Sequence, residues 1–367
     1  MRVYHILLLG LAFLFGSCMK DEEFWNNSGP LIPLTGEGLF IINEGNFMYG
    51  NASLSYYDME KMEVMNEVFL QSNVLPLGDV AHSMNIRDSL GYVVVNNSGR
   101  IYVLETNSFR YHGKITGLTS PRHIHFISGE KAYVTDLYAR AISIVDPVRL
   151  VQTGTIEVNN PLSEFYQHST EQMIQLGKYV YVNCWSYDNQ ILIIDSETDR
   201  VVDSVEVLKQ PNSMVLDRYN NLWVLCDGGF EGSPYGYGKA GLVKIPAGSD
   251  RAEVAELFDD GEIPRDLCMN GGRDTLYYIK HHVYRRAVKE GSKSKQLITS
   301  PYDAEFPGGY YSLAVDPGSS EIYVSDAIDH VQRGWVYRFG PKGMPLDTFQ
   351  VGISPGAFCF KPFFGRK

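Results

Sequence analysis

The chain has 367 residues, 44% of them hydrophobic and 13% aromatic, which is ample for a packed core and excludes a disordered polymer. Lys and Arg number 32 against 43 Asp and Glu, a formal charge of -11, so no basic face can dominate and a nucleic-acid ligand is disfavoured. Tyr (24) and Gly (35) are plentiful, which suits strands and turns more than helices.

Residues 1–17 read as a signal peptide: Arg2 is followed by an apolar run over residues 6–15 that is broken only by Gly10. That run is too short for a bilayer span, which needs roughly 20 helical residues. It ends in Phe15-Gly16-Ser17-Cys18, which resembles a bacterial lipobox with Cys18 as the lipidated residue; a secretory signal that happens to precede a Cys is the alternative. Met19-Lys20-Asp21-Glu22-Glu23 resembles the lysine-plus-acidic export tag of surface lipoproteins. Residues 18–35 then form a tether, in which Asn26, Asn27, Ser28, Gly29 and Pro30 break regular structure.

From residue 36 a repeat begins. A short β-rich run recurs as Phe40-Ile41-Ile42-Asn43, Val93-Val94-Val95-Asn96, Ala132-Tyr133-Val134-Thr135, Val180-Tyr181-Val182-Asn183, Leu222-Trp223-Val224-Leu225, Leu276-Tyr277-Tyr278-Ile279 and Ile322-Tyr323-Val324-Ser325. Ile41 to Tyr323 is 282 residues over six steps, a mean period of 47. A shorter apolar strand precedes most copies, an alternating strand follows, and a polar fourth strand closes the unit. Four strands per unit of this length predict the blade of a β-propeller. The first unit lacks its leading strand, and Gly356-Ala357-Phe358-Cys359-Phe360 supplies one from the far end of the chain. Closing the ring in this way removes exposed sheet edges. The expectation is an all-β, seven-bladed propeller over 36–361 with a tail at 362–367. A solenoid would not need the final strand, and helical repeats would need an apolar period of 3.6.

In a four-stranded meander the first-to-second strand turns lie on one face of the disc. The second-to-third and blade-to-blade loops lie on the other. Turns of the first kind, such as Asp217-Arg218-Tyr219-Asn220-Asn221, carry ordinary turn residues. Loops of the second kind are longer and combine Asn and Asp with Trp, Tyr and Phe. Candidate ligand-binding residues are therefore Asn43, Asn96, Asn97, Asp136, Tyr138, Arg140, Asn183, Trp185, Tyr187, Asp227, Phe230, Tyr235, Tyr237, Tyr310 and Asp326. Aromatic rings offer flat apolar area, and amides and carboxylates fix the orientation of a bulky ligand rich in amides or hydroxyls. The plainer alternative is that Asn and Asp cap turns and that Tyr packs between blades.

Catalytic motifs give no lead: no histidine sits in a nucleophile motif, and the sequence contains no HExxH. His281 and His282 are adjacent on a predicted strand and should point to opposite faces, so no shared metal is assigned to them. His123 and His125 share a face and could reach an ion, or simply line a polar channel. A Ca²⁺ ring of Asp136, Asp227, Asp326, Asn43, Asn96 and Asn183, as propeller lactonases use, is a further alternative. Cys184, Cys226 and Cys268 are spaced 42 apart and read, with Cys359, as small buried residues in equivalent or nearby places of the repeat.

Several blocks carry a family resemblance. They are Leu39-Phe40-Ile41-Ile42-Asn43-Glu44-Gly45-Asn46-Phe47, Ser169-Thr170-Glu171-Gln172-Met173, Tyr179-Val180-Tyr181-Val182-Asn183-Cys184-Trp185-Ser186-Tyr187, Gly232-Ser233-Pro234-Tyr235-Gly236-Tyr237, Ser325-Asp326-Ala327-Ile328-Asp329 and Pro355-Gly356-Ala357-Phe358-Cys359. Over about residues 36–361 the chain resembles the seven-bladed, YncE-like surface lipoproteins of gut Bacteroidota that capture vitamin B12. The resemblance implies a non-catalytic, lipid-anchored cobalamin-binding protein at the outer face of the outer membrane. It would hold no cofactor and would pass its ligand to a TonB-dependent cobalamin transporter. A glycan- or other small-molecule-binding propeller, a Ca²⁺-dependent lactonase-like hydrolase and a purely structural adaptor are the alternatives.

Overall fold

A strand buried on both sides needs apolar residues at every position, and the runs singled out above have them. Val93 and Val95 face one neighbouring sheet while Tyr92 and Val94 face the other. The computed structural model describes residues 37–259, 261–302 and 309–361. The expected signal peptide, the tether with Cys18 and the C-terminal tail lie outside the described residues.

Seven four-stranded antiparallel sheets form seven blades. The innermost strands, taken from blade 2 to blade 7, are Ala81–Arg87, Pro121–Phe126, Thr170–Leu176, Pro211–Leu216, Arg265–Met269 and Tyr310–Val315. Blade 1 takes its innermost strand, Pro355–Lys361, from the chain end, paired antiparallel with Gly38–Asn43 in the register Phe40 with Cys359 and Ile41 with Phe358. Each innermost strand touches the next around the whole circle, including Pro355–Lys361 against both Ala81–Arg87 and Tyr310–Val315. The ring is thus closed by its last strand.

Seven apolar clusters fill the seven seams between blades. At the closing seam Leu39, Ile41 and Tyr57 of blade 1 meet Tyr323, Val336 and Phe349 of blade 7. There the rings of Tyr57 and Phe349 stack with centroids 4.3 Å apart. Burying one such side chain stabilises the fold by about 1.5–3 kcal/mol, so each seam holds its two blades together strongly.

Two local features differ from the sequence expectations. A short helix, Val68–Asn73, sits in the link from blade 1 to blade 2 and buries Val68 and Phe69. Its Asn73 Nδ2 donates to the carbonyls of Phe69 and Phe109 at 2.8 and 2.9 Å, which ties it to blade 2. His281 alone connects the strands Thr275–Lys280 and His282–Ala287, with φ of 61°, so blade 6 has a tight turn where other blades have a loop. That turn brings the His281 and His282 rings side by side, 4.6 Å apart, instead of onto opposite faces. The thiols of Cys184, Cys226, Cys268 and Cys359 are all free. Cys184 and Cys226 end equivalent second strands, whereas Cys268 and Cys359 lie on innermost strands. Among the described residues no helix is long and apolar enough to cross a membrane.

Candidate functional site

A β-bulge leaves a residue unpaired and re-aims its side chain. All seven blades carry one where the innermost strand begins, at the loop face. In blades 2 to 7 the unpaired residues include His82, Arg122, Glu171, Asn212, Asp266 and Tyr311. All six line a cavity of about 670 Å³ on the propeller axis. In blade 1 the matching residue is Gly356, and a Cβ there would fall 2.2 Å from Glu44 Oε1. Glu44 therefore fills the seventh place, and glycine is what leaves room for it.

Glu171 is the hub of one side of this ring. Arg122 Nε donates to both its carboxylate oxygens, at 2.8 and 2.9 Å. His82 Nε2 and His123 Nε2 stand 3.7 and 3.9 Å from Glu171 Oε2, and their rings meet edge to face. Burial works to raise the Glu171 carboxyl, but Arg122 and then His82 outweigh it and hold its pKa down at about 2. Burial depresses both imidazoles, that of His123 to about 3, and the neighbouring positive charges add to it. Both histidines are neutral at pH 7, beside a carboxylate that is ionised and paired.

Across the axis, Tyr311 Oη donates to Glu44 Oε2 at 2.8 Å, and the Arg265 guanidinium lies over the Tyr311 ring. Burial pushes the carboxyls of Glu44 and Asp266 upward. Trp185 Nε1 donates to Asp227 Oδ2 at 2.8 Å, and both residues line the same cavity. Cys268 lines it too, but burial pushes its thiol well up, which leaves a protonated, poor nucleophile at neutral pH. The cup is therefore polar, with the carboxyls of Glu44, Glu171, Asp227 and Asp266 beside the guanidiniums of Arg122 and Arg265, and is walled on one side by an indole.

Around the cup the two faces differ. Among the described residues, Phe47, Tyr49, Tyr138, Phe165, Tyr166, Phe230 and Tyr237 are strongly exposed rings in loops of the cup's face. The opposite face has Tyr179 and Tyr219. Phe165, Tyr187 and Tyr235 pack together, with centroids 4.4 to 5.6 Å apart, beside a second cavity of about 600 Å³. Lys209 Nζ donates to the carbonyls of Tyr187 and Tyr235 at 2.7 and 2.8 Å and so joins the two loops that carry these rings.

The candidate residues divide between scaffold and surface. Asn43, Asn96, Asp136, Asn183, Tyr310 and Asp326 are all buried. Asn43 Nδ2 donates to Ser55 Oγ, and Asn96 Nδ2 to Ser120 Oγ. Asn183 Nδ2 donates to the Pro211 carbonyl. Asp136 accepts from the backbone N–H groups of Ser120, Tyr138 and Ala139, and Asp326 from Tyr302 Oη and the Ile328 N–H. Tyr310 packs in the seam between blades 6 and 7. Each of these six candidates is engaged within the protein: Tyr310 packs in a seam, and the others supply the polar side chain that a strand end needs to satisfy the backbone or side chains of its neighbours. Of the residues considered for a Ca²⁺ ring, Asp227 lines the axial cavity, whereas Asn43, Asn96, Asp136, Asn183 and Asp326 do not.

Asn97, Tyr138, Arg140, Phe230 and Tyr237 lie exposed on the rim, with the Arg140 guanidinium over Tyr166. Asn97 bonds Asp79, which also accepts the Met48 N–H and so links the loops of blades 1 and 2. Trp185 and Asp227 meet at the central cavity, and Tyr187 and Tyr235 at the second. The ring of His82, Arg122, Glu171, Asn212, Asp266 and Tyr311 was missed by the sequence reading. Its signal is a polar residue at the second position of six of the seven innermost strands, visible once the repeats are aligned on the bulge. His125 is not part of it, because its Nε2 pairs with Gln175 Oε1 at 3.1 Å.

A family described as a domain of unknown function, DUF5074, matches residues 37–352. The chain belongs to this family. The DUF5074 match runs through all seven blades and stops short of the closing strand. No curated protein matches the chain. Among solved structures it is similar to a quinonprotein alcohol dehydrogenase-like protein from Bacteroides thetaiotaomicron, with 15% identity, a TM-score of 0.66 and coverage of 88% of this chain and 78% of that one. It is also similar to the periplasmic gluconolactonase of Pseudomonas aeruginosa, with 11% identity, a TM-score of 0.65 and coverage of 89% and 99%. A functionally unknown protein from Desulfotomaculum acetoxidans aligns at 11% identity with a TM-score of 0.62, covering 89% and 99%. At such identities the likeness is one of fold.

Proposed function

We propose that this DUF5074 protein captures a corrinoid, cobalamin or a close relative, on its loop face without turning it over. The observation that carries this reading is the gathering of exposed aromatic rings on one face, around a polar cup. A corrinoid is a broad ring edged with amide side chains. Rings such as Tyr138, Phe230 and Tyr237 would cover its apolar faces, and the Trp185–Asp227 pair and Asn97 would meet its amides. The ligand is not a polyanion, so a net charge of -11 does not oppose it. The sequence blocks that resemble cobalamin-capturing surface lipoproteins support the same reading. They extend it to anchoring through Cys18 at the outer membrane and delivery to a TonB-dependent transporter.

Calorimetric titration of the purified protein with cyanocobalamin tests the proposal. One binding event per chain at micromolar concentrations is expected, and no heat at those concentrations would refute it. The cavity beside Phe165, Tyr187 and Tyr235 favours a second reading, a glycan laid on aromatic rings. In that case excess cobalamin would leave the glycan bound. The fold neighbours raise lactone hydrolysis as a third reading, for which chelator-sensitive turnover of a lactone is the sign.

A further inference from the structure

We infer that His82, His123 and Glu171 form a binding site for one divalent transition-metal ion, with zinc the best fit, at the loop-face mouth of the axis. This site stands independently of the corrinoid reading. The three residues come from three successive blades, 2, 3 and 4, and each is turned toward the axis by the bulge of its own innermost strand. Their ligand atoms all lie within 4.8 Å of one another. Zinc bonds to imidazole nitrogen and carboxylate oxygen at about 2.0–2.2 Å, which puts tetrahedral ligands about 3.4 Å apart. The separations of 3.7 and 3.9 Å from the two Nε2 atoms to Glu171 Oε2 exceed this by a few tenths of an ångström, and the histidine nitrogens, within 4.8 Å of each other, would close the remainder by turning of the imidazoles.

The surroundings suit such an ion. Apart from Glu171, no group is hydrogen-bonded to either imidazole among the described residues, so both nitrogens are available. Arg122 holds Glu171 Oε1 at 2.8 Å and would keep that oxygen while releasing Oε2, in the way that outer partners orient ligating carboxylates. Two imidazoles and one carboxylate select zinc or its neighbours over calcium and magnesium, which prefer oxygen alone. The axial cavity opens onto the cluster and leaves a fourth position for water or an oxygen-bearing ligand. A second cluster, His168, Cys184 and Asp188, is a weaker candidate. Its His168 Nδ1 already bonds Asp188 Oδ2 at 2.7 Å, and Cys184 is fully buried.

The test uses the purified chain stripped with a chelator and then titrated with Zn²⁺ against a chromophoric competitor, and with Co²⁺ followed by visible absorption. One ion per chain is expected, with a Co²⁺ spectrum of nitrogen and oxygen coordination at four or five positions. His82→Gln and His123→Gln should each weaken the ion at least tenfold while the circular dichroism spectrum is retained, and His168→Gln should leave it unchanged. Failure of the wild-type chain to take up one ion overturns the inference, and that result needs no variant to fold. An ion that persists in the His82→Gln/His123→Gln double variant, or that is lost in His168→Gln, overturns it as well.

Discussion

The two faces of this disc are built from the same strands, yet they differ in what they expose. On one, short turns such as 217–221 and 270–274 reverse the chain with little left over. On the other, loops such as 44–52 and 227–240 are long, exposed rings cluster, and the bulges of six blades turn side chains onto the axis. A propeller needs its strands to be regular for the seams to pack. Outer strand pairs carry register shifts too, but the bulges that begin the innermost strands and the long loops meet on a single face. Function is therefore expected there and not opposite.

The largest expected effect lies on the axis. Arg122→Ala leaves the buried Glu171 carboxylate without its main partner and should cost about 3–5 kcal/mol of stability, measured by denaturant unfolding. A loss under about 0.5 kcal/mol would mean that water already screens the pair and that the mouth is not the fixed structure described.

Trp185→Ala and Tyr187→Ala should each weaken cobalamin by about 1–3 kcal/mol in calorimetry if these rings anchor it. Unchanged affinity in both would move the ligand elsewhere on the rim. Asn96→Ala should do the reverse. It removes hydrogen bonds to Ser120 and Pro121, should cost about 1–2 kcal/mol of stability and should leave affinity unchanged. An affinity loss without a stability loss would return Asn96 to the ligand site.

Glu44→Gln probes the opposite side of the cup through pH. The folded-state pKa of Glu44 is raised by burial, so ionising it is harder in the folded chain than in the unfolded one. That penalty is present above the folded pKa, shrinks as pH falls through it and is gone below the ordinary value of 4.5. The variant should therefore melt higher than wild type at neutral pH and lose this advantage in acid. A lower melting temperature at neutral pH would show that the Tyr311 bond outweighs burial. Smallest of all, Tyr219→Ala on the plain face should change stability by less than about 0.5 kcal/mol and affinity not at all.

The architecture was legible because its cause is repetitive. Runs such as Val93-Val94-Val95 are apolar at every position since both of their faces are buried, and the stray strand Gly356 to Phe360 had one vacant place to fill. The rim aromatics were legible from loop length. The axial ring was not, because a bulge breaks the alternation from which strand faces are read: His82 and Glu171 look like ordinary strand residues until the register shift is known. Asn43, Asn183 and Asp326 are ambiguous for a related reason. A polar residue that ends an apolar strand has the same sequence signature whether it greets a ligand or ties down the next loop, and only burial separates the two.

Hydrogen exchange of the protein with and without cyanocobalamin tests the asymmetry most directly. Slower exchange is expected in loops 44–52, 184–189 and 227–240, with no change at 217–221 or 270–274. Protection spread over both sets, or confined to the short turns, would contradict it.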